Sequence, residues 1–304
     1  MTQKPLCIYH GNCFDGFGAA WAVRHALGET GVEFHPGVYG ETPPDVTGRD
    51  VIMVDFSYKR GVLEEMSRIA RSMLILDHHK TAQEDLKNFW PPASTWKGHL
   101  AYTTNPHHDF SHSPIAAQFD MERSGAGMAW DFFHPGIPRP ILIDYIEDRD
   151  LWRFKLPMSR LVHAGLSAFD FDFDYWDKLI LELYPNAEGI SDLASDGGAI
   201  EAKHQRDIEN LLPIVGRRMI IGGYDVPVAN LPMTMTSDAG HMMAQGEPFA
   251  ACYWDTDDGR VFSLRAADDG LDVSAIALSY GGGGHAKAAG FTMPLGWEGD
   301  QNED

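Results

Sequence analysis

Short aliphatic runs alternate with amphipathic stretches along the first eighty residues. Pro5 to Tyr9, Asp50-Val51-Ile52-Met53-Val54 and Met73-Leu74-Ile75-Leu76 carry almost no internal polar positions. Runs of this kind predict strands buried on both faces, as in a parallel sheet. After the first run, Ala19 to Leu27 places Trp21, Val23 and Leu27 at helical spacing, and Lys59 to Arg71 reads as a second helix. Strand, glycine-rich turn, helix, strand predicts βα units and an α/β fold. Each run ends in groups that bind metals or protons. His10 and Asp15 follow the first, Asp55 follows the second, and Asp77-His78-His79 follows the third. Ligands of open parallel sheets collect at the carboxyl ends of the strands. Imidazole and carboxylate together suit a borderline divalent ion.

The periodicity breaks between Asn88 and Gln118, where Trp90-Pro91-Pro92, Asn105-Pro106 and four histidines (His99, His107, His108, His112) predict a long loop or lid. His107-His108-Asp109 lacks a strand to fix ligand geometry and is not expected to form a second metal site. A helix is expected over Phe119 to Phe133 with Ser124-Gly125-Ala126 inside it, and another over Pro140 to Trp152 with Asp148 near its end as a candidate final ligand. Leu193 to Leu212 reads as a helical linker. Val226 to Asn230, Phe249 to Trp254 and Arg260 to Arg265 read as strands of a second domain. The expected division is 1–192, a linker at 193–212, and 213–304.

Composition narrows the function. A chain of 304 residues can bury two real cores. Apolar content of 44%, without a run of eighteen apolar residues or a signal-peptide pattern at Met1-Thr2-Gln3-Lys4, predicts a soluble protein with no membrane partner. Cys7, Cys13 and Cys252 form no CxxC pair, which fits a reducing cytoplasm and excludes a zinc–thiolate cage. Net charge is −20, so too few cations exist to grip long duplex nucleic acid. An anionic substrate should be short, or held mainly by metal.

The motifs His10…Asp15, Asp55, Asp77-His78-His79 and Asp148 resemble those of the DHH phosphoesterases, a superfamily of RecJ-type exonucleases, nanoRNases that also dephosphorylate pAp, cyclic-dinucleotide phosphodiesterases and family II pyrophosphatases. Phe262-Ser263-Leu264-Arg265, Asp272-Val273 and Gly281-Gly282-Gly283-Gly284-His285-Ala286-Lys287-Ala288-Ala289-Gly290-Phe291 resemble the DHHA1 substrate-binding domain of the same proteins. The resemblance implies an N-terminal parallel-sheet DHH domain, a smaller C-terminal α/β DHHA1 domain, and an active site in the cleft between them. It also implies two divalent ions, manganese first, with magnesium or cobalt as alternatives. One would take His10 and Asp55, the other Asp15, Asp55, His78 and Asp148, with Asp55 bridging. His79 would protonate the leaving oxygen or stabilise phosphoryl charge, and Asp77 would orient an imidazole. Arg265, Gly282, Gly283, Gly284 and His285 would hold the substrate, a short single-stranded oligonucleotide or small nucleotide.

One position departs from the pattern. The first motif of the family usually reads His-x-x-x-Asp-x-Asp, whereas here Asp15 matches the second aspartate and Cys13 falls where the first should be, with the spacing from His10 one residue shorter. Cys13 can ligate as a thiolate, or leave the first ion with an extra water. The expected activity is phosphodiester hydrolysis, as a phosphodiesterase or exonuclease, by a monomer or homodimer. A pAp-type phosphomonoesterase and a non-catalytic nucleotide sensor are the alternatives.

Overall fold

The computed structural model describes residues 3–11, 13–103, 114–183 and 188–300. Two compact units result, Met1–Ala199 and Ile200–Asp304. Their boundary falls inside one helix, Glu188–Val215, which overlaps the expected linker and extends beyond it.

In the first unit, β1 (Leu6–His10), β2 (Glu33–Gly37), β3 (Asp50–Val54), β4 (Ser72–Asp77) and β5 (Ile115–Phe119) form a parallel sheet in the order β2-β1-β3-β4-β5. The helices are α1 (Phe14–Leu27), α2 (Arg60–Ser67), α3 (Lys80–Leu86), α4 (Trp96–Thr103), α5 (Gly125–Phe133), α6 (Ile141–Asp150), α7 (Ser159–Leu166), α8 (Phe173–Leu183) and α9 (Glu188–Val215). Strand side chains alternate between two cores, as the pleat requires. Cys7, Ile52, Val54, Leu74 and Leu76 pack with Phe17 and Trp21 of α1, Met128 of α5 and Ile143 of α6. Leu6, Ile8, Val51, Met53, Met73 and Ile75 pack on the other face with Leu63 and Met66 of α2 and with Leu86. Burial of each such side chain contributes about 1.5–3 kcal/mol.

The strand order reverses between β1 and β3, which makes their carboxyl ends the topological switch point of the sheet. Two strands of this unit are not predicted by the sequence pattern. β2 is a half-exposed edge strand with Pro36 in it, and β5 is rich in alanine. Phe119, expected in a helix, therefore ends a strand, and α5 begins only at Gly125, with Ser124 as its cap accepting from the Gly127 N–H at 3.2 Å. The expected long loop contains α4 and β5. His107, His108, Asp109 and His112 lie outside the described residues.

The second unit holds β6 (Gly216–Ile221), β7 (Tyr224–Asn230), β8 (Ala250–Thr256), β9 (Gly259–Arg265), β10 (Gly283–Gly284) and β11 (Ala288–Met293), with α10 (Thr236–Met243) and α11 (Val273–Ser279). They form a mixed sheet in the order β10-β11-β9-β8-β7-β6, with β7 and β8 parallel. Its core is built on Val226, Val228, Phe249, Phe262, Leu264 and Phe291. No helix among the described residues is long and apolar enough to cross a membrane.

Candidate active site

The carboxyl ends of β1, β3 and β4 bring the candidate residues of the first unit together. Asp55, one residue past β3, is fully buried and adopts a left-handed conformation with φ of 54°. Aspartate tolerates that region better than most residues. The turn presents its two carboxylate oxygens to different neighbours. Oδ2 lies 3.4 Å from His10 Nδ1 and 3.8 Å from Cys13 Sγ, while Oδ1 lies 3.0 Å from His78 Nε2. His78 Nε2 is also 3.5 Å from Asp15 Oδ2 and 3.6 Å from Asp150 Oδ2.

Asp15 is fixed from behind. Its carboxyl accepts the backbone N–H groups of Gly125 at 2.6 Å and Ala126 at 2.9 Å, at the start of α5. A helix N-terminus leaves these donors unsatisfied and carries partial positive charge, so a carboxylate fits there. The close approach requires glycine: a Cβ on Gly125 would stand 2.3 Å from the Asp55 Cβ. Gly16 is constrained likewise, since a Cβ there would meet the His10 carbonyl oxygen at 2.2 Å.

Asp77 is buried and orients its neighbours. Its Oδ1 pairs with His79 Nδ1 at 2.7 Å and accepts the His78 N–H at 2.8 Å, while Oδ2 accepts the Ser57 hydroxyl at 3.1 Å. The exposed ring of Tyr39 stands over this side, 5.5 Å from the His10 ring, 6.1 Å from that of His79 and 4.8 Å from that of Phe56. Nothing in its sequence surroundings singled Tyr39 out.

Electrostatics follow from the crowding. Burial depresses the His10 and His78 imidazoles, but hydrogen bonds to Asp55 and the surrounding acids outweigh it and hold both well above the ordinary histidine value. Burial pushes Asp55 up, yet His10 and His78 bring it well below the usual carboxylate range. Burial raises Asp15, and the adjacent Asp55 and Asp150 charges raise it further. Burial also raises Asp150, against the opposing pull of His78, His79 and Arg149. Asp77 is held low despite its burial, chiefly by His79.

Asp148 does not join this cluster. Its carboxylate accepts the N–H groups of Lys155 at 2.9 Å and Leu156 at 3.1 Å, and its carbonyl accepts those of Arg153 at 2.8 Å and Phe154 at 3.3 Å. Asp148 thereby ties down the loop after α6, and Asp150, two residues on, faces His78. The tie holds real strain, because Trp152, Phe154 and Met158 have φ of 55°, 48° and 56°, at roughly 1–3 kcal/mol each.

The expected substrate groups lie in the second unit. Arg265 donates to the Ser263 hydroxyl at 2.9 Å, the Leu264 carbonyl at 2.8 Å and the Ser237 hydroxyl at 2.8 Å, which fixes its guanidinium. The glycine run is less open than a free anion loop. Gly282 donates its N–H to the Ala277 carbonyl at 2.9 Å, Gly283 and Gly284 pair with Gly290 and Ala289 of β11, and His285 donates its N–H to the Ala288 carbonyl at 2.7 Å. Glycine is required here because a Cβ on Gly282 would meet the Gly290 carbonyl oxygen at 2.0 Å.

The donor set of the first unit fits divalent ions. His10, Cys13 and Asp55 offer ligand atoms within 4.8 Å of one another, and so do Asp15, Asp55 and His78. Buried carboxylates in such number need positive charge to be stable together. The fold and site thus define an α/β protein with a candidate divalent-metal centre at the switch point of a parallel sheet.

Its fold is that of a DHH domain. A solved DHH domain, described as that of a member of a family of ribosomal proteins, superposes with a TM-score of 0.52 at 14% identity, over 96% of this chain and 83% of the other. RecJ from Thermus thermophilus, solved in complex with Mn2+, gives a TM-score of 0.47 at 15% identity, over 95% of this chain and 49% of the other. In sequence, the uncharacterized protein R106 of Acanthamoeba polyphaga mimivirus is 29% identical over 319 residues, covering 96% of this chain and 68% of the relative. No family model matches the chain.

Proposed function

We propose that this chain is a metal-dependent phosphoesterase that hydrolyses short oligonucleotides or small nucleotides. One observation carries the reading: the two oxygens of Asp55 face two separate donor groups, His10 with Cys13 on one side and His78 on the other. The first group with Asp55 would hold one ion, and Asp15, Asp55, His78 and Asp150 a second. When bound, such ions supply an ionised water near neutral pH and neutralise phosphoryl charge.

The remaining work falls to the chain itself. The start of α5 keeps the Asp15 carboxyl in place through two backbone N–H groups. Asp77 fixes the His79 ring through Nδ1, so Nε2 is the nitrogen that would give a proton or hydrogen bond to a leaving oxygen. Arg265, prealigned by Ser237 and Ser263, would bind a substrate phosphate.

The test is turnover of bis-p-nitrophenyl phosphate, pAp, a cyclic dinucleotide and labelled RNA and DNA of graded length, with manganese, magnesium or cobalt. Wild type should hydrolyse at least one. Asp55→Ala should lose well over about tenfold, since it removes a ligand from both groups. A wild type inert towards all of them, or an Asp55→Ala variant above about a tenth of wild type, overturns the proposal.

A further inference from the structure

The segment from Arg149 to Arg160 has a character of its own. In a chain of net charge −20 it gathers four of the 24 lysines and arginines (Arg149, Arg153, Lys155, Arg160) with Asp150 as its sole acid. Arg153 is engaged by Glu147 at 3.2 Å. Arg149 and Arg160 layer with two aromatic rings. The Arg149 guanidinium lies 4.1 Å from the Trp152 ring centre, and that of Arg160 lies 3.9 Å from the Phe154 ring centre. The rings meet edge to face at 5.0 Å, and all four side chains are half-buried.

This arrangement is built rather than incidental. Trp152 and Phe154 are two of the three residues of this loop at positive φ, with Met158 the third, so the backbone is distorted at the positions that present the rings. A loop that only had to connect α6 to α7 would avoid such a conformation in two aromatic residues. Strained backbone of this kind clusters at ligand sites. The stack also begins next to the candidate centre, because Arg149 adjoins Asp150, whose carboxylate lies 3.6 Å from His78 Nε2.

We infer that Arg149, Trp152, Phe154 and Arg160 form a subsite for a nucleobase and its flanking phosphate, beside the phosphate that is cleaved. The inference rests on the phosphoesterase reading and gives a base of that substrate its place on the chain. Aromatic faces stack on any base, while guanidinium edges donate to phosphate oxygens. An inorganic polyphosphate would use the arginines and leave the rings idle.

The test reads binding by the full chain, with calcium in place of a catalytic ion. The probes are fluorescein-labelled pentathymidylate and an abasic deoxyribose-phosphate pentamer of equal charge. Trp152→Leu should weaken the thymidylate by about tenfold and the abasic probe by less than about twofold. Arg160→Ala, which leaves the loop backbone untouched, should weaken both. Melting temperatures identify a misfolded Trp152→Leu, in which case Phe154→Leu takes its place with the same expectation. Equal losses on the two probes from the ring variant, no loss from either variant, or a wild type that binds neither probe overturns the inference. Because no turnover is read, base-dependent binding by a chain that never hydrolyses an ester would defeat the catalytic reading alone. Hydrolysis with ring-independent binding would defeat this one alone.

Discussion

Gly125→Ala tests the junction on which the candidate centre rests. The added Cβ would stand 2.3 Å from the Asp55 Cβ, 2.9 Å from the Asp55 Cα and 2.9 Å from Asp15 Oδ2. Carbon atoms in contact settle at about 3.5–4.0 Å, so α5 and the end of β3 must part by more than about 1 Å. A movement of that size stretches the hydrogen bonds from Gly125 and Ala126 to Asp15, now 2.6 Å and 2.9 Å, beyond useful range. Overpacking costs about 1–3 kcal/mol, and weakening both bonds to a buried carboxyl adds about 1–3 kcal/mol. The expected loss is therefore about 2–6 kcal/mol of unfolding free energy, together with at least about tenfold weaker manganese binding. Urea unfolding in chelator and calorimetric titration with manganese measure the two effects. Gly198→Ala is the control: it lies inside α9 with nothing within 4 Å of its Cβ position, and it should gain about 0.5–1 kcal/mol. A Gly125→Ala variant that loses less than about 1 kcal/mol and binds manganese normally would refute the packing argument.

Four further outcomes are expected. Asp150→Asn should weaken manganese binding by about 10–100-fold, whereas Asp148→Asn should mainly lower stability, by about 1–3 kcal/mol; calorimetry showing the reverse order of metal affinities would restore Asp148 as the ligand. His10, His78 and Asp15 are all shifted upward, so protons compete with a divalent ion for these groups. Metal binding should therefore tighten as pH rises and release protons, which titrations in buffers of different ionisation enthalpy would detect or exclude. By the same shifts, the stability that the two imidazoles lend the metal-free protein is complete below the ordinary histidine pKa and is lost as pH climbs through their raised values. Finally, cobalt-loaded protein should show a thiolate-to-metal charge-transfer band that Cys13→Ser removes; an unchanged spectrum would make Cys13 a packing residue.

Most of the first unit was legible in the sequence because its central strands are uninterrupted aliphatic runs ending in polar clusters. β1, β3 and β4 needed nothing beyond that pattern. β2 and β5 were not legible, since an edge strand with a proline and an alanine-rich strand carry little hydrophobic contrast. The Asp148 and Asp150 assignments were not separable either. Both close α6, and Asp148 is the more buried of the two, so burial would have misled as well. What distinguishes them is which side chain the following loop takes for its own backbone, a matter of tertiary register. The role of Ser124-Gly125-Ala126 was hidden for a related reason: a helix start acquires meaning only once Asp15 is seen beneath it. In the glycine run, the sequence suggested open N–H groups, whereas strand pairing and the end of α11 take up part of that capacity.

The clustered side chains of the first unit come from points scattered between His10 and Asp150, at the ends of β1, β3, β4 and α6 and the start of α1. Contacts of such long sequence separation form late in folding, after the loop-closure entropy of the whole unit has been overcome. A divalent ion bound there cannot hasten the search for the fold. It acts on the return path, since every route out of the native state must first pull apart the segments it joins. Metal should thus govern how long a folded molecule lasts rather than how quickly one appears.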